Sequence, residues 1–322
     1  MKKNKMMRIA SILMVATLIT TCAISGTFAK YVTKASGEDK ARVAKWGIVL
    51  DISGNSVFAE KYAATDEKYL AAEGKYSVES SVEGEKVVAP GTNAKEANGQ
   101  LVAHVKGTPE VATRYTLVVD KAQDVVLPAG TYTDYTELVN GDNGYGYTKT
   151  FKLDKAYAPI KWDLAIAKGT AITADNPGTS LAATLWTAFT AQHEQLTNYG
   201  FSADGVSIYD AVEIIKKVAG NDGYKTLVDQ ALANVVSGGR NFQLNVDAET
   251  GKIELSYDFD ANKDMDFYFG LDWEWAFEQE NVELYDKADT LLGNIAAGVV
   301  EAPEGASVTI NAAFTATATQ ID

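Results

Sequence analysis

His193-Glu194 opens like the helix of a zinc hydrolase, in which two imidazoles four residues apart share one helical face. Position 197 is Thr197, so the second ligand is missing. The other histidine, His104, stands in an alternating segment with no ligand near it, and one cysteine, Cys22, cannot build a thiolate site. Two histidines leave few bases for a nucleophile. No Gly-x-Ser-x-Gly elbow is present, and no glycine-rich phosphate loop follows a strand. Carboxylates are plentiful, but 43 acidic residues make chance pairs inevitable. Asp272 and Glu274 share one face of an alternating segment, where a glycosidase acid and nucleophile could sit. A solvated sheet face beside an aromatic core is the preferred reading. Asp258, Asp260, Asn262 and Asp264 set oxygen side chains at alternate positions, as part of a calcium loop does. The loop lacks Gly at its sixth position, and Phe269 stands where a bidentate Glu should close it. A charged turn is preferred, with weak Ca²⁺ binding as the alternative. No catalytic residue, other cofactor or enzymatic activity is expected.

If the chain does no chemistry, its address matters more. Lys2, Lys3, Lys5 and Arg8 precede an uncharged apolar run, Ile9–Ile19, too short for the ~20 residues of a spanning helix. Thr27-Phe28-Ala29 supplies a small-x-small cleavage pattern. Residues 1–29 are therefore expected to be a secretory signal, cut between Ala29 and Lys30, and the product to be secreted, extracellular or cell-surface associated. Two anchored alternatives are an uncleaved Ile9–Ala29 stretch and acylation at Cys22. Cleavage removes four positive charges, taking the formal net charge from −14 to −18. A chain this acidic is expected to bind neither nucleic acid nor an anionic membrane surface. Without a thiol it must be held together by core packing.

Apolar periodicity lays out the elements. Residues 30–43 are polar and form a flexible N-terminal segment. From Ala44 to Ile52 alternate residues are apolar, the mark of a strand with one buried face. Further strands are expected at Val87–Thr92, Leu101–Lys106 and Glu110–Asp120, the last two joined as a hairpin through Gly107-Thr108-Pro109. Tyr132–Leu138 and Tyr147–Leu153 flank a turn-rich stretch, and Ile160–Ile166 alternates again. Between 179 and 237 the period becomes helical, with Ser180 and Ser207 as N-caps and Gly200, Gly220 and Gly238 as breaks. Strands resume after Gly239. Odd positions from Phe267 to Phe277 are large and apolar, which places Trp273 and Trp275 in a core. A closing strand, Val308–Gln320, puts threonines on its outer face. The expected architecture is mainly β: one antiparallel sandwich domain, residues 44–322, with a two- or three-helix insertion at 179–237.

Ile24-Ser25-Gly26-Thr27-Phe28-Ala29-Lys30-Tyr31 resembles the export signal of the TasA/camelysin family, secreted biofilm-matrix fibre proteins. Ala89-Pro90-Gly91-Thr92 and the threonine-rich strand at 308–321 resemble that family too. The resemblance implies processing by a dedicated SipW-type signal peptidase and a jelly-roll-like sandwich that polymerises by donor-strand exchange. Lys30–Lys40 would be the donor, with Tyr31, Val32 and Ala35 entering the next subunit. Partners would be copies of the same chain and accessory matrix proteins. The helical insertion departs from the family pattern. A monomeric cell-surface module that binds glycan or protein is the alternative.

Overall fold

In the computed structural model, the described residues are 43–53, 57–63, 76–95, 102–141, 144–173, 175–193, 206–248, 250–276 and 282–321. The cleavage pair Ala29 and Lys30 and the donor residues Tyr31, Val32 and Ala35 lie outside them. So do Cys22 and Glu194.

The elements in chain order are β1 (Ile48–Ser53), β2 (Lys61–Ala63), β3 (Tyr76–Glu79), β4 (Thr92–Asn93), β5 (Val102–Gly107), β6 (Thr113–Gln123), β7 (Gly130–Thr133), β8 (Val139–Gly141), β9 (Gly144–Gly146) and β10 (Thr150–Leu153). Then follow β11 (Ile160–Lys168), β12 (Thr179–Ser180), α1 (Leu181–Gln192), α2 (Ile208–Val235), β13 (Gly239–Asp247), β14 (Lys252–Phe259), β15 (Met265–Trp275), α3 (Val282–Ala296) and β16 (Asn311–Gln320). Two antiparallel sheets make the sandwich. The first runs β1-β5-β15-β11-β12, with β4 also pairing β15, and the second runs β13-β14-β6-β16. The chain is thus a mainly β antiparallel sandwich with helices.

Alternation builds the interior. Met265, Phe267, Phe269, Leu271, Trp273 and Trp275 of β15 are all buried. Phe269 meets Tyr115 of β6 and Tyr257 of β14 at 5.4 and 6.0 Å between ring centroids, so this face of β15 looks into the second sheet. Burying an aromatic ring of this size contributes about 2–3 kcal/mol. The Trp273 indole N–H is satisfied by the Val57 carbonyl at 2.8 Å.

The helical insertion lies where periodicity placed it. Ser180 accepts from the Ala183 N–H and Ser207 from the Asp210 N–H, so both serines are N-caps. Gly220 interrupts α2 with φ 70° and ψ 173°, a conformation open to glycine and strained for other residues. The helices bury Leu185, Trp186, Phe189, Ile215, Leu227 and Leu232 in the same core as the sheets. α2 packs against both β13 and β11, bridging the two sheets along that side.

Three expectations need correction. β5 and β6 are not a hairpin: β5 lies between β1 and β15, whereas β6 lies between β14 and β16. Both strands are saturated by other neighbours, so Gly107-Thr108-Pro109 crosses from one sheet to the other. Gly107 sits at φ 149°, and a side chain there would strike the Gly47 carbonyl at 2.2 Å. Of the expected strand ending in a turn at Pro90-Gly91, the turn is present, closed by the Thr92 N–H on Ala89, but the strand shrinks to a bridge from Val87 to Ala59, and pairing resumes only at Thr92 in β4. A helix also appears where strands were expected, α3. Its Ala288, Leu291, Leu292 and Ile295 are buried at three- and four-residue spacing.

Candidate functional site

The two histidines are far apart in function as well as in sequence. His104 projects from β5, its Nε2 2.8 Å from Asp266 Oδ1 and its ring stacked on Tyr268 at 3.8 Å. His193 closes the C-terminus of α1, with Nδ1 3.1 Å from the Phe189 carbonyl oxygen. Among the described residues, no group of three or more His, Cys, Asp or Glu is placed to hold a metal ion.

The calcium candidates are a corner between the sheets, because β14 and β15 belong to different ones. Their oxygens go to separate partners. Asp258, 2% exposed, accepts from Arg114 Nε at 2.7 Å, from a second Arg114 nitrogen at 3.0 Å and from Asn241 at 2.9 Å. Burial pushes its carboxyl upward, but the Arg114 and Asn241 hydrogen bonds outweigh this and hold its pKa below the usual range. Asp260 accepts from Arg240 at 2.8 Å and Asp264 from the Thr108 hydroxyl at 3.1 Å. Asn262 takes φ 62° and donates its backbone N–H to Pro109 at 2.7 Å. The alternate spacing serves a turn held by arginines, not a convergent cage.

The carboxylate pair on β15 is also rearranged. Glu274 is exposed opposite Lys161, whereas Asp272 stands opposite Asp163 of β11. Asp163 accepts from the Leu164 N–H at 2.7 Å, the Ala182 N–H at 2.9 Å and the Ser180 hydroxyl. It therefore anchors the start of α1. Burial, with a smaller push from Asp272, moves its carboxyl up to about 7, and burial likewise raises Asp272. The acid that faces Asp272 across the strand pair is thus committed to a helix terminus. Sequence spacing could not show this, because Asp163 lies a hundred residues upstream.

What remains is an edge. Among the described residues the sheets end on β1 and β12 in one and on β16 and β13 in the other, with the two-residue β4 flanking β15 beyond β5. β12 leads straight into α1, and α2 packs against β13. On the opposite side β1 comes against β16, and each pairs with one strand only among the described residues. The inner face of this seam is incompletely closed. Ile48 and Leu50 are half-buried, and Ile52, which pairs with the buried Ala103, is 45% exposed. On β16, Phe314 is buried, but Ala312, Ala316 and Ala318 on the same face are only half-buried. The seam therefore offers main-chain hydrogen-bonding groups and small-residue space together, the ingredients of strand addition.

The chain enters β1 through a clamp. The Lys45 N–H donates to Glu110 Oε2 and the Glu110 N–H donates to the Lys45 carbonyl, both at 2.8 Å. The clamp ties the residues just before β1 to the segment that leads into β6.

Set against known proteins, the chain matches no family model, no curated protein and no solved structure.

Proposed function

We propose that the chain is a secreted, non-enzymatic structural subunit of an extracellular matrix or cell-surface fibre, of the TasA/camelysin kind, assembling by strand exchange between copies. Cleavage after Ala29 would free Lys30–Lys40 to lie along the β1–β16 seam of the next copy. The observation that carries the reading is Ile52: an inward-facing isoleucine on a terminal strand, 45% exposed, beside alanines that leave their side of the core half-filled.

The energetics set a condition. Ordering a backbone costs about 1–2 kcal/mol per residue, so strand hydrogen bonds alone do not hold a free segment. Burial must add to them. Tyr31 and Val32 would supply that apolar surface against the half-buried Ala312, Ala316 and Ala318. The ten-residue length of β16 suits an extended neighbour, with these three alanines on the inner face and its threonines keeping the outer one wet.

The test is negative-stain microscopy with sedimentation, on protein beginning at Lys30 and on protein lacking residues 30–40. Fibres are expected from the first and folded monomers from the second. A protein beginning at Lys30 that stays folded and monomeric at all concentrations and ionic strengths overturns the proposal.

A further inference from the structure

The helical insertion carries a cleft that strand exchange leaves without a role. Its volume is about 760 Å³, within the ~300–1,000 Å³ of small-ligand sites. One wall is β13, which presents Gln243 and Asn245 outward at alternate positions. The other is α2 on both sides of its break at Gly220, which contributes Lys216, Asn221 and Lys225. Arg114 of β6 completes the set.

This lining is unlike the chain as a whole. The protein carries a formal charge of −14, yet three cations line this cleft with one carboxylate, Asp229, and among the described residues only Arg114 of the three is ion-paired, to Asp258 behind it. That carboxylate already accepts the Phe242 backbone N–H at 3.1 Å. The remaining negative charge of the protein is screened beyond ~8 Å at physiological ionic strength, so the local cations decide what enters. Lys216 is held in place, its Nζ 4.9 Å from the centre of the Tyr224 ring. Tyr224 in turn is fixed by its hydroxyl, which donates to the Leu244 carbonyl at 2.8 Å. Arg114 uses part of its donor fork on Asp258 and keeps the rest. The side chains of Asn221, Lys225, Gln243 and Asn245 have no hydrogen-bond or ion-pair partner among the described residues.

The combination selects a ligand chemistry. Amides present a donor and an acceptor each, which suits hydroxyl groups, while ammonium and guanidinium groups suit carboxylates. The aromatic rings of the lining, Tyr224 and Phe242, are 4% and 5% exposed, so no face is free to stack a nucleobase. We infer that this cleft binds an acidic oligosaccharide, with Lys216, Lys225 and Arg114 meeting uronate carboxylates and Asn221, Gln243 and Asn245 meeting ring hydroxyls. Gln243 and Asn245 stand about 7 Å apart along the strand, so they address successive positions on an extended ligand. None of these residues lies on β1 or β16, and Lys216, Lys225, Gln243 and Asn245, the residues varied below, belong to α2 and β13, away from the seam.

The experiment is an NMR titration of the full chain with trigalacturonate, with neutral maltotriose, hexaglutamate and inorganic phosphate as competitors. Saturable shifts confined to Arg114 and residues 216–226 and 241–245 are expected with trigalacturonate. Lys216→Gln with Lys225→Gln is expected to weaken binding by about tenfold or more, and Gln243→Ala with Asn245→Ala by a similar factor. All four side chains lie on the surface of the cleft, and circular dichroism checks that each double variant keeps its fold. Absence of saturable binding overturns the inference. So does equal affinity for maltotriose, hexaglutamate or phosphate, or unchanged affinity in both double variants.

Discussion

The two sides of the sandwich solve the same problem differently. Where β12 and β13 end the sheets, α1 and α2 close the gap, and Phe189 and Leu232 are fully buried there. Where β1 and β16 end them, no described helix covers the seam, and Ile52 remains 45% exposed. A sheet edge is a template for another strand unless it is covered, twisted away or charged. Among the described residues, one pair of edges is covered by the chain's own helices and the other pair is not. The proposed strand exchange would use the side that the described helices leave uncovered.

The largest expected effect tests that division directly. Ile52→Lys places a charge on the inner face of the open seam and is expected to abolish fibre formation, read by sedimentation and microscopy, while the monomer loses no more than about 1 kcal/mol. If fibres persist, the seam is not the contact. Next comes a stability contrast measured by denaturant unfolding. Phe189→Ala on the covered side is expected to cost about 3–5 kcal/mol and Ile52→Ala under about 1 kcal/mol, because the latter already faces solvent. Equal losses would break the comparison.

A pH effect should separate the sides further. Asp163 beneath α1 is raised to about 7 and Asp289 of α3 to about 6, both chiefly by burial. Each binds its proton more tightly folded than unfolded. The stability they confer is full below about pH 4 and is lost as pH rises through about 6 and 7. Asp258 and Asp134 run the other way, since hydrogen bonds to Arg114 and Thr136 outweigh burial and hold them low. Their contribution is present above about pH 4 and is lost on acidification. Thermal unfolding is therefore expected to show a maximum in weak acid and a decline toward pH 8. Asp163→Asn should flatten that decline by up to a few kcal/mol; an unchanged slope would remove Asp163 as its source. The smallest effect is Gly220→Ala, whose φ of 70° is strained for alanine although no atom lies within 4 Å of the added carbon. About 1 kcal/mol is expected by the same unfolding measurement.

Much of this architecture is written locally. Alternation from Phe267 to Trp275 is enough to place β15 in a core, and Ser180 and Ser207 announce the two helix starts. What is not local was misread. Gly107-Thr108-Pro109 signals a turn, but nothing in it says that the next strand joins the other sheet. The spacing of Asp258, Asp260, Asn262 and Asp264 reads as a charged turn, but nothing local shows that Asp258 is claimed by an arginine 144 residues away. α3 was overlooked although Ala288, Leu291, Leu292 and Ile295 carry a helical period, because the strand patterns on either side dominate the region. The cleft was illegible for the same reason as Asp258: its cations come from β6 and α2, and no window of sequence contains them both.

The Lys45–Glu110 clamp has a mechanical meaning. Any tension drawn through residues 1–42 enters the sandwich at this reciprocal pair and passes into the six-residue ladder of β1 on β5. The load would be shared across those paired residues before it reaches the core. In a chain of subunits linked end to end, the first joint to yield would be this outermost strand, and the helix-covered half of each subunit would stay folded while it gave way.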